Sequence, residues 1–143
     1  MNMSPEAYRY QADAINTATP EQLTLMLYRA ALSGLRKLKD ALKNEPSKGL
    51  GESQLPRDIM AALADNVNMN HPDGQKLRDL YLYCWRTILN CAVSGSDGEL
   101  DSVEVVLENL IHGLDAFVAN RRGASASVEV SHSMEAVSIN FAG

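Results

Sequence analysis

The sequence predicts an all-α protein: an antiparallel up-and-down four-helix bundle with an N-terminal arm, room for a short extra helix, and a flexible C-terminal tail. Three observations carry that reading. Apolar residues recur at spacings of three and four through residues 20–120, with no alternating strand pattern. Helix start signals stand before each periodic stretch, and the connections between stretches are short. Short connections between amphipathic helices favour antiparallel neighbours.

The clearest element begins at Ala18-Thr19-Pro20-Glu21-Gln22. Thr19 can cap the first turn, Pro20 occupies the first helical position, and Gln22 can close a reciprocal capping box. The helix is expected over residues 20–42. Its apolar positions from Leu23 to Leu42 sweep roughly 260° at 100° per residue, far more than the ~100° stripe of an ordinary surface helix. Two stripes can be separated. Leu23, Leu27, Ala30, Ala31, Gly34, Leu38 and Ala41 are expected in the core, with Gly34 marking a close helix–helix approach. Leu25, Tyr28, Leu32 and Leu35 form a second stripe on another side.

Residues 44–53 carry Pro46, Gly49 and Gly51 and read as a loop. Pro56 is expected to open a shorter helix over 56–68, burying Ile59, Leu63 and Val67 with Met60 beside them. A turn around Asn68–Gly74 leads to a helix over 72–93. Leu77, Leu80, Tyr81, Cys84, Ile88 and Cys91 face its core, while Leu82, Leu89 and Val93 lie off that face and Trp85 stands at the border. Ser96 and Glu99 suggest a second capping box. The last helix, over 98–120, has one regular seam: Leu100, Val103, Leu107, Leu110, Leu114 and Phe117. The chain therefore divides into an arm (1–19), a bundle domain (20–122) and a tail (123–143).

The 143 residues suffice for one domain with its own core. A net charge of −5 argues against a nucleic-acid binder, which needs a basic patch to neutralise phosphates. The run Arg36-Lys37-Leu38-Lys39 reads as a solvated helix face. No apolar run approaches the ~20 residues that span a bilayer, and the first residues have neither the basic nor the apolar region of a signal peptide. A cytoplasmic address and no membrane insertion are expected. Cys84 and Cys91, seven residues apart on one helix, are about 10.5 Å apart, too far for a disulfide.

No catalytic constellation emerges. There is no phosphate-binding glycine loop and no nucleophile elbow. Glu104, Glu108 and His112 form an acid–histidine ladder, but off the core seam, so neither a metal site nor any other cofactor is expected. His112 could accept a phosphoryl group as in histidine phosphotransfer bundles, although Glu108 and Asp115 would repel phosphate. A self-associating structural bundle is the other alternative, and a monomer or weak homodimer is expected.

Two blocks match a known family. Tyr10-Gln11 followed by Ile15-Asn16-Thr17-Ala18-Thr19-Pro20-Glu21-Gln22-Leu23-Thr24-Leu25-Met26-Leu27-Tyr28 resembles the N-terminal signature of the flagellin-specific export chaperones, the FliS family. Leu80-Tyr81-Leu82-Tyr83 is similar to that family's Leu-Tyr-Asp-Tyr, with Leu82 where the family has aspartate. The resemblance implies a non-enzymatic cytoplasmic chaperone that binds the disordered C-terminal segment of flagellin. It would prevent premature polymerisation and keep the client competent for flagellar type III export, with the export apparatus as a further partner. Surplus apolar surface suits a client that folds on binding, because ordering entropy must be offset by a long apolar contact. The residues expected to meet flagellin are Tyr10 and Ile15 on the arm, Leu25, Tyr28 and Leu32 on the first helix, and Leu82, Trp85, Leu89 and Val93 on the third.

Overall fold

In the computed structural model, residues 4–7, 9 and 18–123 are described, the last three by backbone alone. Tyr10, Ile15 and the tail from residue 124 lie outside the described residues. Four long helices follow one another: α1 (Pro20–Asn44), α2 (Gly49–Asp65), α3 (Gly74–Ser94) and α4 (Leu100–Gly123), with a 3-10 turn at Pro46–Lys48 before α2. Residues 5–7 are also helical, and Ser4 Oγ accepts the Ala7 N–H at 3.2 Å.

The helices form a ring in chain order. α1 packs on α2 and α4, and α2 packs on α3, whereas α3 and α4 meet along a much shorter line. No helix among the described residues is long and apolar enough to cross a membrane.

The start of α1 follows from local chemistry. Thr19 Oγ1 accepts the Gln22 N–H at 3.2 Å, and Gln22 Oε1 accepts the Thr19 N–H at 2.9 Å, a complete capping box with Pro20 at the first position. α3 ends as glycine allows: Gly95 adopts φ 75°, and its N–H reaches the Cys91 carbonyl at 2.9 Å. The Ser96–Glu99 box does not form. Ser96 N–H goes instead to Ser94 Oγ, and α4 starts at Leu100.

The expected loop at 44–53 is corrected. α2 begins at Gly49 and carries Pro56 in its interior. An interior proline costs about 3 kcal/mol relative to alanine, through a lost hydrogen bond and a clash with the carbonyl four residues back. That carbonyl belongs to Glu52, which is exposed, so water can satisfy it. The buried Pro56 ring meanwhile packs on Gly34 of α1, where an added Cβ would lie 3.0 Å from Pro56 Cδ. The close approach marked by Gly34 is therefore real, and its partner is the proline that sequence reading places at a helix start. Gly49 is packed as tightly, with a Cβ there falling 2.9 Å from Leu42 of α1 and 3.5 Å from the Ala92 carbonyl of α3.

The α4 seam is buried along its whole length, as expected, and so are Ile59, Met60, Leu63 and Val67. On α1, Ala31, Gly34 and Leu38 are buried as expected, but the division into two stripes is a correction. Leu25, Tyr28, Leu32 and Leu35 are core residues, whereas Leu23, Leu27, Ala30 and Ala41 are half-buried at the edge toward α2. The buried arc of α1 runs from Gly34 to Leu25, roughly 180° at 100° per residue. A helix flanked on two sides within a ring must bury that much.

Gly74 fits against the Asn68 carbonyl so closely that any Cβ would collide with backbone. Gly74→Ala is therefore expected to lower unfolding free energy by roughly 1–3 kcal/mol in urea titrations. Gly34→Ala should be near neutral, because the proline ring can shift by tenths of an ångström and alanine favours the helix by about 1 kcal/mol.

Candidate functional site

The third helix carries the exposed apolar surface. At 100° per residue from the buried Cys84, Trp85, Leu89, Leu82 and Val93 fall at roughly 100°, 140°, 160° and 180°, a strip running from core edge to solvent. Leu82, Trp85 and Leu89 are half-buried, and Val93 is 68% exposed. Ala92, on the same side, approaches Gly49 of α2, while Tyr83 on the opposite side reaches Ser102 of α4 at 2.9 Å. The strip thus lies along the α2 side of α3. Leu50, next to Gly49 and 52% exposed, extends it at the Val93 end.

Cations border this strip. Arg78 and Arg86 belong to α3, and Arg57 on α2 donates from Nε to Ser53 Oγ at 3.0 Å. Among the described residues none of the three arginines has an ion pair, since every pair joins α1 to α4 or lies within 45–48.

The basic residues of α1 are engaged differently. Arg29 meets Asp115 at 3.2 Å, Arg36 meets Glu108 at 3.4 Å, and Lys39 reaches both Asp101 and Glu104 at 2.5 and 3.2 Å. The flanking carboxylates, Asp101 foremost, hold the Lys39 ammonium above its ordinary value, and the hydrogen bond and charge of Lys39 in turn hold the Asp101 carboxyl below its own. Two features read from sequence as solvated faces, the 36–39 basic run and the Glu104–Glu108 ladder, therefore complete each other across a helix interface. His112 stays exposed on α4. Among the described residues no cluster of His, Cys, Asp and Glu could hold a metal ion.

Of the residues expected to touch a client, Leu25, Tyr28 and Leu32 are 6%, 0% and 8% exposed and belong to the core. Tyr28 OH and Tyr81 OH meet at 2.5 Å in the centre of the bundle, tying α1 to α3 across the ring, with ring centroids 6.3 Å apart. Burial raises both phenols well above their ordinary values. Burial also pushes the Cys84 thiol up to about 12 and raises Cys91, so neither cysteine is a nucleophile near neutral pH. Among the described residues, the strip on α3 is the part of the expected set that remains at the surface. Sequence reading missed Leu50, because it lay in the segment taken for a loop; the spacing Gly49, Ser53, Pro56, Met60, Leu63 was the available helical signal.

The family profile described as flagellar protein FliS matches residues 3–121. The chain belongs to the FliS family. A curated FliS-family protein, the flagellar secretion chaperone FliS of Bacillus subtilis (strain 168), is 30% identical over 96 residues, covering 66% of this chain and 72% of the relative. In this FliS-family chain, the Thr19–Tyr28 block builds the cap and the buried N-terminal half of α1.

Removing either central hydroxyl leaves the other buried with no partner, so Tyr28→Phe and Tyr81→Phe should each cost roughly 1–3 kcal/mol, while the double variant costs less than the sum. A double-mutant cycle by chemical denaturation measures that coupling. The raised groups also set a pH dependence. Cys84, Tyr28 and Tyr81 favour the protonated folded state, so their stabilisation is complete below the unfolded values and declines as pH rises through them. Stability should begin to fall above about pH 9, where the unfolded thiol ionises. Cys84→Ala should flatten the first part of that decline.

Proposed function

We propose that this member of a flagellar chaperone family binds the C-terminal segment of flagellin in the cytosol. In doing so it blocks premature polymerisation and hands the client, still unpolymerised, to the export apparatus. The observation that supports this reading is the apolar strip Leu82, Trp85, Leu89 and Val93, extended by Leu50 and bordered by Arg57, Arg78 and Arg86. A strip with spacings of three and four suits the helix-in-groove mode, in which an amphipathic segment lays its apolar face along a helix pair. The client contributes acidic or neutral flanks that the arginines accept. Binding is the whole activity: the protein shields client surface and does no covalent chemistry.

Family membership and the secretion chaperone relative support the flagellar setting. Within this reading the second sequence stripe of α1 moves from the client to the core. Leu25, Tyr28 and Leu32 hold the bundle together, and the client meets α3 with α2.

Calorimetry against the last ~50 residues of the cognate flagellin should show tight association with a negative heat-capacity change, the mark of buried apolar surface. Trp85→Ala and Leu89→Asn should each weaken binding by about tenfold or more, as loss of a central anchor does, with a smaller loss of stability than the core substitutions below because both side chains are only half-buried. Leu25→Ser and Leu32→Ser should instead destabilise the fold by roughly 2–5 kcal/mol. Unchanged affinity in both α3 variants would overturn the assignment of this face.

A further inference from the structure

The arginines beside the α3 strip have a defined arrangement. Arg78, Leu82 and Arg86 stand four residues apart, on one ridge crossing the outer face of α3. No acid lies three or four residues from either arginine, the separations at which a helix pairs its own charges. The single carboxylate of α3, Asp79, accepts instead from Gln75 Nε2 at 2.7 Å.

Arg57 approaches the same strip from α2, and its orientation is fixed. Its Nε donates to Ser53 Oγ at 3.0 Å, and the Ser53 hydroxyl donates to the Leu50 carbonyl at 2.7 Å. Ser53 is buried, so its hydroxyl is committed on both sides and the guanidinium keeps its terminal nitrogens for another acceptor. Gly49 of α2 lies against Ala92 of α3, and the two helices run in opposite directions. Arg57 is therefore level with Cys84 and Trp85. On the wheel that places Trp85 at roughly 100°, Arg86 falls at roughly 200°, on the border of the strip away from α2. A guanidinium thus stands on each long border of the strip near Trp85, with Arg78 toward one end.

We infer that the segment taken by this strip is an amphipathic helix with a carboxylate on each border of its apolar face. Arg57 and Arg86 select it, and Ser53 is the residue that positions Arg57. The inference rests on the client site proposed above and names the chemistry that site accepts. Apolar contact alone discriminates poorly among amphipathic helices, whereas unanswered cations beside it favour carboxylates and disfavour lysines. The chain as a whole carries a net charge of −5, so its general field repels an acidic segment and the selection is local.

Two synthetic helical peptides test this. They share one leucine face without tryptophan and differ in carrying glutamate or glutamine along both borders. Trp85, the sole tryptophan of the chain, lies in the strip and reports occupancy through its emission. The glutamate peptide should bind roughly tenfold tighter at about 50 mM salt, and that margin should shrink at about 500 mM, where exposed charges are screened. Arg57→Gln and Arg86→Gln should each remove most of the margin, and the double variant should abolish or invert it. Ser53→Ala should narrow the margin while leaving affinity for the glutamine peptide unchanged, a split that damage to the fold would not produce. Leu82→Asp places a carboxylate four residues from both Arg78 and Arg86 and should narrow the margin too. Leu82→Asn, with a similar loss of apolar surface, should weaken both peptides and keep it.

Equal affinity of the two peptides for the unaltered chain overturns the inference, as does a margin that survives the double variant. Peptide binding that weakens as protein concentration rises identifies a second copy as the occupant and overturns it as well. The C-terminal segment of the cognate flagellin is measured alongside. If flagellin fails to bind while the glutamate margin stands, the client assignment falls and the carboxylate selection holds. If flagellin binds the double variant as tightly as the unaltered chain, the selection falls and the client assignment holds.

Discussion

Two tyrosine hydroxyls meeting at 2.5 Å in the centre of the bundle mark the constraint on which the other contacts rest. They join α1 to α3 across the diagonal of the ring, the pair of helices with little other direct contact. Each phenol is fully buried, so each needs a partner for its oxygen, and the other phenol is the partner available. That requirement fixes the rotation of α1 about its axis. Once Tyr28 points to the centre, Gly34 must face Pro56, and Leu25 and Leu32 must face α4. The 180° burial of α1 follows from this placement and from having a neighbour on either side.

Electrostatics divide the molecule in two. Along α1 and α4 the charges are matched in antiparallel register, seven residues apart on each helix for Arg29, Arg36 and their acids. The exposed pairs there add little to stability, since solvent screens them, and their effect lies in discriminating register. Along α3, Arg78 and Arg86 stand beside apolar surface and form no ion pair among the described residues. A surface with that composition suits an apolar segment carrying carboxylates, the chemistry asked of the proposed client.

Much of the core was legible from residue spacing. α4 packs chiefly on α1, meets α3 only along a short line and shows a single seam, so Leu100 through Phe117 could be read directly, and the Thr19–Gln22 box is a local interaction that needs no tertiary context. α1 was harder. An apolar sweep of roughly 260° contains several possible 180° arcs, and periodicity cannot choose among them. The α2 start failed for a related reason. Pro56 is a helix-start signal in local statistics, and only its packing against Gly34 explains why it is tolerated in the interior.

The sequence by itself determined the number of long helices, most of their limits, the capping of α1 and the family, because caps, periodicity and motif order are properties of neighbours along the chain. The tertiary structure decided which face of α1 is core, that the 44–58 region is largely helical, and that the basic run and the acidic ladder are partners. It also decided which apolar residues stay at the surface. These depend on the rotation of each helix against its neighbours, which is set by contacts between residues far apart in the chain, the Tyr28–Tyr81 hydroxyls and the Gly34–Pro56 approach above all.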